Sequence, residues 1–161
     1  MKVLKMFIPI ITLCVLLSAC NSKDNLHAEY FGFETAKFTV VEEEEARGGF
    51  LGDGSYSLVL DCSANSEQAR EIVKDWIPLP FSENLGLLMY GGEKDGVEYG
   101  YFSEQANWPE IRNGVYKFVD RNSDAEDPSD DKEILSRGTA NFSIAVYDLD
   151  SDMLYYFEAD T

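Results

Sequence analysis

The period of the apolar residues changes once along this chain, and that change limits the folds open to it. In residues 65–76, NSEQAREIVKDW, the apolar positions Ala69, Ile72, Val73 and Trp76 recur at i, i+3, i+4 and i+7, which is one face of a helix. Asn65 is placed to cap its start, with Gln68 three residues on in the capping-box position. Pro78 and Pro80 stop it. Elsewhere the period is two or the apolar run is short, and both read as strands. The strand segments are Lys37–Val41, Ser55–Asp61, Asn84–Tyr90, Val97–Phe102, Val115–Val119, Asn141–Tyr147 and Met153–Phe157. Arg47–Gly54, Gly91–Gly96 and Asp148–Asp152 are rich in glycine or aspartate and read as turns. Strands joined by short turns pair antiparallel. The expectation is an α+β domain: a largely antiparallel sheet of about six strands with one main helix packed on it.

The first residues are of another kind. Lys2 and Lys5 make a positive start, and residues 6–17, MFIPIITLCVLL, are almost wholly apolar. A membrane-spanning helix needs roughly 20 apolar residues. This run is shorter, and Pro9 interrupts it. The pattern is that of a secretory signal peptide. Its end, Leu17-Ser18-Ala19-Cys20, resembles the lipobox of bacterial lipoprotein precursors. The resemblance implies that the Cys20 thiol receives a diacylglyceryl group and that cleavage makes Cys20 the new N-terminus. The expected order is then a signal peptide over 1–19, a lipidated tether over 20–29 and a single acidic domain over 30–161. Each buried CH₂ contributes about 0.8 kcal/mol, so two or more acyl chains hold a protein firmly on a bilayer. The expected place is the extracytoplasmic face of the cell membrane, with the bilayer a partner through acylated Cys20. Asn21 is not Asp, so no inner-membrane retention signal of the Gram-negative kind follows.

Charge narrows the partners. The chain carries 13 Lys+Arg against 30 Asp+Glu, a formal net charge of −17. Lys2 and Lys5 would leave with the signal, and no acid would. Nucleic-acid binding runs on Lys/Arg neutralisation of phosphate, so no nucleic-acid partner is expected. An anionic lipid surface would repel the domain. Cations and basic peptides are the compatible partners. Cys14 lies in the signal and Cys20 would be lipidated, which leaves Cys62 alone. No internal disulfide is then possible. Cys62 ends an apolar strand pattern with no base nearby in sequence, and it reads as a small hydrophobe rather than a nucleophile.

The glycine-rich 48–54 segment lacks the Lys and the following helix of a phosphate-binding loop, so it reads as a hairpin turn. Residues 120–131, DRNSDAEDPSDD, are the best constellation. Asp120, Asn122, Asp124 and Glu126 take the 1, 3, 5 and 7 spacing of a calcium loop, and Asp131 falls at position 12. Ala125 sits where the turn wants Gly, Asp131 replaces Glu, and strands flank the loop. This is not an EF-hand; it is a candidate for an unrelated calcium site, and no other cofactor is expected. His27, the one histidine, falls in the tether, where no pocket is expected. That removes His-based triads and His metal sites. The chain is not expected to be an enzyme. A carboxylate-pair hydrolase is the catalytic alternative, but no pair stands out among the acids. Trp76, Trp108, Tyr99, Tyr101, Tyr155 and Tyr156 read as core or cross-strand pairs, or as the lining of a peptide or glycan site. Trp108 is the least core-like of them.

The Gly48-Gly49-Phe50 to Asp53-Gly54 run, Pro78-Leu79-Pro80, Met89-Tyr90-Gly91-Gly92, and the ending from Val146-Tyr147-Asp148 to Leu154–Phe157 resemble a group of small uncharacterised lipoproteins of Gram-positive bacteria. That resemblance implies no activity. Together these readings describe a surface lipoprotein that acts by binding. Its partner is expected to be an envelope protein or peptide, with a calcium or small-ligand binder as the alternative.

Overall fold

The computed structural model describes residues 26–48 and 53–161. The lipobox with Cys20 and the middle of the 48–54 turn lie outside the described residues. The strands are β1 (Thr39–Glu45), β2 (Gly54–Asp61), β3 (Ile77–Pro78), β4 (Gly92–Lys94), β5 (Val97–Tyr99), β6 (Gly114–Asp120), β7 (Phe142–Asp148) and β8 (Met153–Asp160). The helices are α1 (Leu26–Phe31), α2 (Ser66–Val73), α3 (Glu83–Tyr90) and α4 (Tyr101–Ala106). Six strands form one sheet in the order β1-β2-β8-β7-β6-β3, and β4 and β5 form a separate hairpin. Every pairing among the described strands is antiparallel, and short turns join β4 to β5 and β7 to β8. The fold is α+β.

Alternation along the strands feeds two cores, one on each face of the sheet. Tyr116, Phe118, Ile144, Val146 and Phe157 share the first face with Ala159 and pack under α3, α4 and Trp108. Leu58, Leu60, Ala145, Tyr147, Leu154 and Tyr156 share the second and pack under α1, α2 and Phe33. A central strand buried on both faces reads as a continuous apolar run, as FSIAVY does in β7. One helix cannot cover both faces, so the helical layer is larger than the single helix expected.

The helix over 65–76 forms, but shorter, as α2. Ala69 and Val73 are buried, and Ile72 and Trp76 pack partly buried beside them. Its expected cap does not form. Asn65 turns away and donates through Nδ2 to the Lys37 carbonyl at 2.8 Å.

The strand expected over Asn84–Tyr90 is corrected: these residues are α3. Ser82 Oγ accepts from the Leu85 amide at 3.1 Å and caps the start. Leu85, Leu88 and Met89, at i, i+3 and i+4, are the buried positions. Gly91, at φ 76°, ends the helix and donates its N–H to the Leu87 carbonyl at 3.0 Å. The hairpin that follows is real but smaller. It turns at Asp95-Gly96, with φ 54° and 79°, the positive pair that suits a two-residue hairpin link.

Residues 26–29, expected in the tether, begin α1. Glu42–Glu45 form the second half of β1, which is exposed along its whole length at the sheet's edge. Val41 makes a bulge there, and charge on a bulged edge strand discourages further pairing.

Candidate functional site

The β4–β5 hairpin stands off the main sheet and is tied down by one lysine. Lys94 Nζ donates to Glu83 Oε2 at 2.8 Å and to Asn84 Oδ1 at 3.1 Å, both on α3. Gly100 leads from β5 into α4, and Ser103 Oγ donates back to the Gly100 carbonyl at 2.8 Å. The first two residues of α4 then diverge. Phe102 turns in and meets Phe142 edge-on, with ring centroids 5.2 Å apart. Tyr101 turns out and is 67% exposed. Between this unit, α3 and the segment over 134–140 lies a groove of about 350 Å³. Its apolar walls include Leu87, Tyr99, Phe102 and Leu135, and Glu98 and Arg137 are its charged lining residues. A second depression of about 360 Å³ lies beside Phe81 and Tyr90. Tyr90, which lines this depression, is exposed.

Arg137 is held from behind. Nη2 donates to the buried Asp120 carboxylate, and Nε donates to the Glu133 carbonyl at 3.4 Å. Its Nη1 has no partner among the described residues. The groove therefore offers apolar walls and an exposed tyrosine. That arrangement suits an entering apolar or aromatic side chain.

The five residues of the calcium reading are not brought together. Asp120 is 3% exposed and is taken by Arg137 and by the Asn122 amide at 3.0 Å. Asn122 donates to Thr139 Oγ1 at 3.1 Å and accepts from the Asp124 amide at 3.0 Å. Asp131 accepts from Ser82 Oγ, and its carbonyl accepts from Asn84 Nδ2 at 3.1 Å. Glu126 is exposed. Among the described residues no group of three or more His, Cys, Asp or Glu is placed to hold a metal ion. The loop's acids mostly bind its own backbone or brace α3. The aspartates of the β7–β8 turn do similar work. Asp152 Oδ1 accepts from Tyr147 OH and from Arg70 Nη2, each at 2.7 Å, and these donors hold its carboxyl below the usual range.

Two side chains, Trp108 and His27, stand where the sequence did not put them, and Cys62 stands where it did. Trp108 is 8% exposed and packs with Tyr155, so it is core. Cys62 is fully buried, and burial pushes its thiol up to about 12, which leaves it unreactive. His27, far from a free tether, is 5% exposed on α1 between Tyr56 and Tyr156, with ring centroids 6.4 and 5.8 Å away. Beneath it Tyr156 OH, raised to about 12 by burial, bonds Ser143 Oγ at 3.3 Å and the Glu158 carboxylate. Glu158 is 2% exposed and pairs with Arg47. The alternation did mark this cluster. Leu154, Tyr156 and Glu158 share one face, and a glutamate at a core position needs a buried partner.

Comparison with protein-family models, with curated proteins and with solved structures found no match to this chain.

Proposed function

We propose that this is a membrane-anchored surface lipoprotein, held through acylated Cys20, whose acidic domain binds an envelope protein or peptide in the groove beside α4. The observation that carries the reading is Tyr101, 67% exposed at the mouth of an apolar groove about 350 Å³ in volume. Aromatic side chains at the mouth of apolar pockets are where binding energy concentrates. The net charge of −17 favours partner segments whose apolar residues are flanked by Lys or Arg.

Cross-linking in intact cells, followed by recovery of the lipidated protein, tests both halves. A defined partner recovered with the native chain and lost with Tyr101→Ala or Leu135→Glu is the expected result. Recovery of the same partner with both variants would place binding elsewhere. The anchor is tested separately: Cys20→Ala should leave the membrane fraction, and a variant that still partitions with membranes would remove the anchor.

A further inference from the structure

The most unusual buried group lies on α1, away from the groove. His27 is sealed by two aromatic rings, and its Nε2 has no hydrogen-bond partner among the described residues. A neutral imidazole tolerates this, because an unshared lone pair needs no acceptor. An imidazolium has two N–H donors, and a buried donor without an acceptor is costly. Among the described residues, the charged and titratable groups around it are engaged elsewhere. On β1, Glu43 attracts the charge but already accepts from Tyr56 OH at 3.1 Å. On β8, Glu158 is committed to Arg47 and to Tyr156 OH. On β6, Lys117 is a cation, and its Nζ donates to the Tyr30 carbonyl of α1 at 2.5 Å. Tyr56 and Tyr156 present ring faces and edges. Burial holds the imidazole below its ordinary value, against the pull of Glu43.

The element that carries His27 closes on a glycine, with the Gly32 amide donating to the Ala28 carbonyl at 3.0 Å and the Phe33 amide to the His27 carbonyl at 3.2 Å, bonds that release would have to open. α1 ends at Gly32, whose φ is 78° and whose missing Cβ would meet Ile72 Cγ2 at 3.2 Å. Beyond it Phe33 is fully buried and stays fixed against Trp76 and Tyr147. Among the described residues, Leu26–Phe31 lie on the near side and would move, with His27 and Phe31 as the buried anchors.

We propose that α1 is an acid-released latch: protonation of His27 frees Leu26–Phe31 from the second face of the sheet, pivoting at Gly32, while the rest of the domain stays folded. The sign follows from linkage. Above about pH 6.5 the imidazole is neutral whether α1 is docked or free, and docking costs no proton. Below that value the free form takes the proton first, and each further pH unit down to the docked group's own value weakens docking by about tenfold.

Amide hydrogen exchange on the full chain tests this, corrected for the intrinsic effect of pH. Peptides covering 26–32 and 142–148 are compared at about pH 7.5 and about pH 5, across the titration range of histidine. Protection over 26–32 should fall at least several-fold on acidification in the native chain, with 142–148 unchanged. His27→Phe, which fills the space and cannot titrate, should hold protection at both pH values. His27→Gln serves as the second variant if Phe disturbs packing. Loss of protection in 26–32 to the same extent in native and variant chains would overturn the proposal. So would loss in both segments together, or no loss at all.

Discussion

At the scale of single residues, the buried charges set the strongest expectations. Asp120 and Arg137 pair behind the groove, with side chains 2% and 16% exposed. Replacing Asp120 with Ala strands the guanidinium, and the domain should lose about 3–5 kcal/mol in a urea titration. Because the same carboxylate belongs to the calcium reading, the two roles part in one experiment. Adding calcium or chelator should leave the melting temperature of the native chain unmoved, since Asp120 and Asp131 are already committed. A rise of several degrees with calcium would restore that reading. Asp152 gives a pH signature. Its carboxyl is held low by Tyr147 and Arg70, so its contribution is present above the unfolded value near 4 and disappears as pH falls through the folded value. Asp152→Asn should therefore cost about 1–2 kcal/mol at neutral pH, and progressively less as pH falls through the folded value. Residue-level function was the least legible part of the sequence. Spacing placed Asp120 to Asp131 in a ligand pattern, but spacing does not say which carboxylates the core claims. His27 looked free because its neighbours Tyr56 and Tyr156 come from strands remote in sequence.

At the scale of elements, most strands were legible, but three of the four described helices, α1, α3 and α4, were not. β2, β6, β7 and β8 alternate or run apolar over the lengths that strands take, and their turns carry aspartate or glycine. α3 was hidden because ENLGLLMY is apolar almost all round, which erases the difference between periods two and 3.6. The cap was the missed signal: Ser82 before it and Gly91 after it bracket eight helical residues. Ser82→Ala removes that cap and the bond to Asp131 together, and should cost about 1–2 kcal/mol by chemical denaturation. Because α3 also holds Lys94 through Glu83 and Asn84, the same variant should loosen the β4–β5 hairpin, read as faster amide exchange over 92–99.

At the scale of the whole molecule, the strand order joins the two ends of the domain. β2 lies between β1 and β8, and Gly54 is opposite Asp160. Removing residues 153–161 takes a strand from the middle of the sheet, and the remaining chain should show no cooperative thermal transition by circular dichroism, although every helix is still encoded. The order of synthesis acquires meaning from this. The β1–β2 hairpin is local and forms early, but Leu58 and Leu60 must wait for a neighbour some hundred residues downstream, and closing so large a loop is slow. Until β8 emerges nothing made earlier locks the sheet. On the export route proposed for it, a translocation channel that admits only unfolded chain would meet this one while it can still be threaded.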